Sequence, residues 1–274
     1  MNPHAQDAVP TPQRHAALRR LCIPLLLVAL SACEPRAPSV AEPVSAPTAP
    51  IAPAAPAPLP LASTPAPAPA SVAEGVDGVD LSNWQGGEVN FVQIKQAGKH
   101  FVFVKSSEGA TVVDPDHARN VQRARAAGLA VGSYHFYESD DTPQAQFRNF
   151  AAQLSLKPGD LPPVVDIERL SKGDAQALAP ALQQFLGLLE QQVGVKPILY
   201  SGEHFANEYL SVFADYPLWL AEYNSNASPQ LPKGWTRWTF WQHSQSGSVA
   251  GVPGPVDLNR FNGGPAQLQA LTVR

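Results

Sequence analysis

Two acidic residues, Asp166 and Glu168, follow an apolar run and are separated only by the apolar Ile167. Residues i and i+2 of a β-strand project from the same face, so this spacing predicts two carboxyl groups held side by side. Close like charges raise the pKa of one group, which supplies a protonated acid and an ionised partner at the same pH. The pair therefore predicts hydrolysis of a glycosidic bond.

Three further acidic residues, Asp80, Glu108 and Asp257, stand in or near the ends of other predicted strands. If these strands converge, the carboxyl groups meet the pair at one site, where Glu108 is expected to contact substrate. A single aspartate at a strand end is more often a helix cap or a loop hydrogen-bond acceptor. That alternative stays open for Asp80 and Asp257 taken singly.

Aromatic residues near the predicted strand ends fit a sugar substrate, because ring faces pack against pyranose C–H groups while polar tips form hydrogen bonds. We predict that Tyr134 and Tyr137 are the strongest candidates for substrate binding. Core packing is the alternative for about half of the set, and the sequence does not decide between them. The candidates are Tyr134, Tyr137, Tyr200, Trp219 and Trp241.

Strand-like and helix-like patterns alternate along the chain from residue 76, which predicts an α/β domain with a mainly parallel sheet. Eight predicted strands favour an irregular (β/α)8-type, TIM-like barrel as a single catalytic domain over residues 76–274, with chemistry at the carboxyl ends of the strands. The predicted strands are Val76–Leu81, Phe101–Lys105, Leu129–Tyr137, Leu161–Glu168, Pro197–Tyr200, Leu218–Tyr223, Trp238–His243 and Val256–Leu258.

Helix-start signals separate these strands. Asp114-Pro115 predicts an N-cap with proline at the first helical position, in a helix that ends at Gly128, and Thr142-Pro143 repeats the signal. Apolar residues at helical spacing predict a further helix over 174–193. Pro180 either kinks that helix or marks its start.

Residues 34–73 contain 12 Pro and 13 Ala in 40 positions and no aromatic residue. Such a composition cannot offset its ordering entropy by burial, so residues 33–75 are predicted to be a disordered linker. The whole chain carries a net charge of −4 without a lysine- or arginine-rich run. Nucleic acid is therefore not an expected partner.

Arginines precede the apolar run 21–30, which is too short to span a bilayer and predicts an export signal over residues 1–32. The junction Leu30-Ser31-Ala32-Cys33 is similar to the bacterial lipobox, so Cys33 is the predicted lipidation site and membrane anchor. Because Glu34 rather than aspartate follows, we expect an exported protein of the cell envelope, anchored in an outer membrane and facing the periplasm. A plain secretory signal is the alternative.

Six short motifs in one order resemble glycoside hydrolase family 25, the Chalaropsis-type lysozymes, over nearly all of residues 76–262. Each motif is weak alone, and their common order carries the resemblance. The motifs are Gly78-Val79-Asp80-Leu81-Ser82, Lys105-Ser106-Ser107-Glu108-Gly109, Gly132-Ser133-Tyr134-His135-Phe136-Tyr137, Asp166-Ile167-Glu168, Trp241-Gln242-His243 and Val256-Asp257-Leu258-Asn259.

The resemblance implies cleavage of the β-1,4 bond between N-acetylmuramic acid and N-acetylglucosamine in peptidoglycan glycan strands. It implies Glu168 as general acid, Asp166 as its partner, and Asp80 and Asp257 as the rest of an acidic floor. Whether Asp166 is a nucleophile or orients the substrate's N-acetyl group stays open.

Other classes of function fit less well. The histidines lack the His-Glu-x-x-His spacing of a metal hydrolase, so no metal and no cofactor is expected. The main alternative is a non-catalytic peptidoglycan-binding lipoprotein that keeps the groove without turnover. The protein is expected to be a monomer.

Overall fold

The computed structural model describes residues 75–85, 88–170, 175–223 and 226–274. The predicted signal peptide, Cys33 and residues 34–74 of the predicted linker lie outside these ranges. Within them, nine strands form one sheet. The strands are β1 (Val76–Leu81), β2 (Phe101–Glu108), β3 (Val112–Val113), β4 (Ala130–Phe136), β5 (Val164–Asp166), β6 (Ile198–Gly202), β7 (Leu218–Ala221), β8 (Phe240–Gly247) and β9 (Val256–Phe261).

Eight of these strands close into a barrel in the order β1-β2-β4-β5-β6-β7-β8-β9, because β1 pairs with both β2 and β9. The short strand β3, which the sequence did not predict, is antiparallel to β2 and stands outside the ring. The α/β barrel prediction is confirmed.

The last strand makes the barrel irregular. β9 runs antiparallel to both β8 and β1, whereas the other neighbouring barrel strands are parallel. Residues 248–255 connect β8 to β9 without a helix, and so short a connection can join only antiparallel strands. Asp257 is therefore at the start of its strand, not near the end as predicted, and that start lies beside Asp80 at the carboxyl end of the parallel strands.

Six helices accompany the strands within the described ranges. They are α1 (Phe91–Gln96), α2 (His117–Ala126), α3 (Pro143–Gln153), α4 (Ala175–Val193), α5 (Glu203–Phe205) and α6 (Pro265–Leu271). A π-helical turn, Ala206–Leu210, and a 3-10 turn, Ser211–Phe213, continue α5. Another 3-10 turn, Asn83–Gln85, follows β1.

The helix-start predictions had different outcomes. Thr142 caps α3 by accepting the Ala145 N–H, with Pro143 as the first helical residue, as predicted. The Asp114-Pro115 prediction was wrong, since α2 begins at His117. The Asp114 carboxylate accepts the Asp116 N–H at 2.9 Å and closes a turn ahead of the helix.

Pro180 lies inside α4, so it does not mark the start of that helix. The apolar side of α4 packs on the barrel through fully buried residues such as Phe185 and Leu186. This packing stabilises a helix that an interior proline would weaken.

Aromatic side chains fill the lower barrel interior, where Phe101 and Phe103 are fully buried. Glycines on neighbouring strands make room for them. A Cβ at Gly78 would approach the Phe101 ring to 2.5 Å, and one at Gly132 would approach the Phe103 ring to 2.5 Å. The ring layer therefore closes the barrel beneath the acidic residues, and the open end is the carboxyl end of the parallel strands.

Candidate active site

Asp166 is the last residue of β5, and its side chain is buried. Ile167 is fully buried in the cluster that includes α4 residues, as strand alternation predicts. Glu168 lies two residues beyond the strand, which is shorter than the predicted Leu161–Glu168, and it is exposed. The pair is thus one carboxyl group inside the barrel mouth and one open to a ligand.

Asp80, at the end of β1, is held by two side-chain amides. Its Oδ2 accepts hydrogen bonds from Gln242 Nε2 at 2.9 Å and from Asn259 Nδ2 at 2.7 Å. The amide oxygens are fixed in turn, because Trp219 Nε1 donates to Asn259 Oδ1 at 2.7 Å and Tyr200 Oη donates to Gln242 Oε1 at 2.9 Å. These donors orient both amide NH2 groups towards Asp80.

A second tyrosine joins this network from the rim. Tyr223 follows β7 and donates its hydroxyl to Gln242 Oε1 at 2.5 Å. Its ring remains partly exposed, unlike that of Tyr200. The network around Asp80 therefore reaches from the barrel floor to the surface.

Asp80 and Asp257 are cross-strand partners in the β1–β9 ladder, and their carboxyl groups form a hydrogen bond. Burial, and then the charge of Asp257, raise the pKa of Asp80 from 3.8 to about 8. Burial also raises the pKa of Asp257. Two carboxyl groups this close repel each other when both are ionised, so the pair favours one shared proton at neutral pH.

The pKa values of the two carboxyl groups at and just beyond the end of β5 are also raised. Burial and the charge of Glu168 raise the pKa of Asp166 well above its usual range. Partial desolvation at the mouth raises the pKa of Glu168, opposed by the positive charges of Arg169 and Lys105. Lys105 Nζ also forms an ion pair with Glu108 Oε2 at 2.6 Å. Glu108 therefore holds the ammonium group whose charge lowers the pKa of Asp166 and Glu168.

Three of the predicted aromatic residues come together inside the barrel. Trp219 lies 4.5 Å from Tyr200 and 6.4 Å from Tyr134, measured between ring centroids. Trp219 also stacks on Phe103 at 4.4 Å. Trp219 and Tyr200 are buried and Tyr134 is half-buried. They form the floor of the site.

The other two predicted aromatic residues are not brought to this floor. Tyr137 is fully buried in the layer between the barrel and the helices, beside Phe185, so it is a packing residue. Trp241 is buried on the face of β8 opposite to Gln242, and its indole N–H donates to the Glu222 carbonyl at 2.8 Å.

Sequence reasoning missed four residues of the site as functional: Lys105, Tyr223, Gln242 and Asn259. One signal could have identified Asn259. It stands two residues after Asp257, the same spacing that drew attention to Asp166 and Glu168. Gln242 offered no such signal, because its role depends on the pairing of β8 with its neighbours.

Among the described residues, no three His, Cys, Asp or Glu side chains are grouped so that they could hold a metal ion. No helix in the described ranges combines the length and apolar character needed to cross a membrane.

Comparison with known proteins places this site in a family. Residues 79–252 match the model of glycosyl hydrolases family 25. The chain is 36% identical to YegX of Escherichia coli K12, over 72% of this chain and 73% of that protein. It is 33% identical to lysozyme M1 of Streptomyces globisporus, over 72% of this chain and 71% of that protein.

A solved structure agrees with these relatives. The bacterial lysozyme from Streptomyces coelicolor has a TM-score of 0.68 and 32% identity to the chain, which covers 97% of that structure and 73% of its own length. The chain therefore belongs to glycosyl hydrolases family 25 and is a glycoside hydrolase of the lysozyme type.

Proposed function

We propose that this enzyme cleaves the β-1,4 bond between N-acetylmuramic acid and N-acetylglucosamine, with Glu168 as general acid and Asp166 as partner carboxylate. This assignment rests on the different solvent exposure of the two carboxyl groups. Glu168 is open to a glycosidic oxygen, whereas Asp166 is buried beneath it. A bound glycan would exclude water from Glu168, favour its protonated form further and prepare it to donate.

Asp166 is available to the substrate as an acceptor. Its Oδ1 is buried and has no hydrogen-bond partner among the described protein atoms. A buried carboxyl oxygen without a partner is costly, so a ligand that supplies a donor there is stabilised. The oxygen could accept the N–H of a substrate N-acetyl group or attack the anomeric carbon. Both roles use the ionised carboxylate, and a donor bound at this oxygen would favour that form by lowering the raised pKa of Asp166.

Asp80 and Asp257 complete the proposed acidic floor. The Asp80 hydrogen bonds to Gln242 and Asn259 hold it in one orientation, and its shared proton keeps the pair at a single negative charge. That charge would favour the positive character that develops on the sugar ring in the transition state. We propose that this is their contribution to the reaction.

Digestion of purified sacculi tests the proposal. We expect release of muropeptides with reducing N-acetylmuramic acid ends, identified by mass spectrometry, and intact sacculi after long digestion would support the non-catalytic wall-binding alternative. Glu168→Gln keeps the shape but removes the proton donor, so the rate should fall by about 10² to 10⁴. Asp215→Asn, an exposed position before β7 at the opposite end of the barrel, is the control for an amide substitution.

We also propose that Cys33 is lipid-modified and anchors the enzyme in the outer membrane, facing the periplasm, as a monomer. The support is the lipobox-like junction ending at Cys33 and the Pro/Ala-rich stretch that follows. At about 3.1 Å per residue in an extended form, such a stretch could reach on the order of 100 Å. Membrane fractionation of the wild-type chain and of Cys33→Ser tests the anchor.

A further inference from the structure

Exposed apolar side chains concentrate at the catalytic end of the barrel. Within the described ranges, six large hydrophobic residues are exposed, and four of them follow the carboxyl ends of β1, β2 and β7. They are Trp84 (87% exposed), Val112 (52%), Val113 (42%) and Tyr223 (49%). Exposed apolar residues gathered beside a site indicate a contact surface more strongly than scattered ones.

Trp84 is the most exposed of these residues and stands on a braced turn. Ser82 N–H donates to Gln85 Oε1 at 2.8 Å, and Trp84 N–H donates to Ser82 Oγ at 3.2 Å. Asn83 N–H donates to Asp114 Oδ2 at 2.9 Å, which joins the turn to the end of the β3 hairpin. None of these bonds uses the indole, so the turn fixes the backbone at Trp84 and leaves the ring exposed.

The turn is tied to the site through its first residue. It begins three residues after Asp80, and Asp114, which accepts the Asn83 N–H, adds to the raised pKa of Tyr134 in the barrel floor, a pKa that burial and then the charge of Asp80 mainly raise. A glycan strand that extends beyond the cleaved pair needs binding residues outside the carboxyl groups, and this rim follows the ends of strands that form the same barrel mouth. A flat indole ring matches the apolar C–H face of a pyranose.

We propose that Trp84 is a sugar-binding platform for a distal unit of the glycan strand, beyond the pair of sugars that is cleaved. The proposal rests on the proposed function of the site and deepens it. Val112 and Val113, joined to the turn through Asp114, extend the apolar surface along the same rim. A lipid surface is the less favoured occupant, because the exposed Glu88 lies close in sequence to Trp84 and opposes approach to anionic headgroups.

A binding assay with a catalytically inactive variant tests this proposal independently of the proposed reaction. The mature chain, residues 33–274 made without lipid and carrying Glu168→Gln, is sedimented with purified sacculi. Adding Trp84→Ala is expected to weaken binding about tenfold, the loss expected for one ring face. Trp84→Phe should recover most of the affinity, and Val212→Ala, an exposed position on the Ser211–Phe213 turn, should leave it unchanged.

Turnover gives a second readout. With Glu168 intact, Trp84→Ala should lower kcat/KM on long glycan strands and leave it unchanged on a fragment of two disaccharides. Equal binding of sacculi by Trp84→Ala and its parent would overturn the platform. So would a loss confined to anionic phospholipid vesicles, which would identify a lipid contact. If the wild-type enzyme released no muropeptides, the proposed reaction would be refuted. The sedimentation assay would still test the platform, because it does not depend on turnover.

Discussion

Replacing Asp80 with Asn is expected to stabilise the folded domain at neutral pH while lowering activity. Asn can accept both amide hydrogen bonds through its oxygen and can donate to Asp257 through its NH2 group, in place of the shared proton. The wild-type carboxyl group has a pKa of about 8 when folded and 3.8 as a free side chain. Its proton is therefore bound more tightly in the folded state.

The sign of the pH dependence follows from that difference. Stability from the Asp80 proton is fully present below pH 3.8 and is lost as the pH rises through about 8, because the unfolded chain releases the proton first. At about 1.4 kcal/mol per pH unit, the loss reaches about 4 kcal/mol at pH 7. Asp80→Asn has no such loss, so the two proteins should be equally stable near pH 4 and should diverge as the pH rises.

Thermal unfolding followed by circular dichroism, at intervals from pH 4 to pH 8, measures this divergence. For a domain of this size, about 4 kcal/mol corresponds to a rise in Tm of about 10 °C at pH 7. Asp215→Asn, an exposed aspartate with an ion pair to Lys196, should show no comparable gain. Parallel Tm profiles for wild type and Asp80→Asn would refute the proton held between Asp80 and Asp257.

The remaining predictions concern rate, packing and the anchor. Lys105 lowers the pKa of Glu168, so Lys105→Met should move the alkaline fall in kcat, where the acid loses its proton, to higher pH; an unmoved profile counts against this coupling. Gly132→Ala would bring a Cβ within 2.5 Å of a buried ring and should cost about 1–3 kcal/mol in denaturant unfolding. Gly187→Ala, in a helix with open space, should stabilise by about 0.5–1 kcal/mol. Cys33→Ser should release the protein from membranes, and retention would contradict lipidation.

The sequence determined much of the framework. Strand β1 has the bounds predicted from the sequence, Val76–Leu81, and Thr142-Pro143 begins α3, since both depend on local signals. The i, i+2 spacing of Asp166 and Glu168 predicted a carboxyl pair at a strand end, and Asp166 does end β5, although Glu168 lies two residues beyond it. Local signals failed at Asp114, whose carboxylate accepts an N–H from Asn83, 31 residues away in the chain.

Tertiary structure decided which of the candidate side chains share the mouth of the barrel. Tyr134 and Tyr137 are three residues apart, so strand alternation places them on opposite faces, but only the closed barrel makes one face the floor of the site and the other the layer beneath the helices. The role of Gln242 depends on Asp80, 162 residues away, and the pairing of Asp80 with Asp257 depends on β9 running antiparallel. Sequence periodicity sets which face of a strand a residue occupies, whereas only closure of the barrel sets what lies opposite that face and hence how strongly each carboxyl group holds its proton.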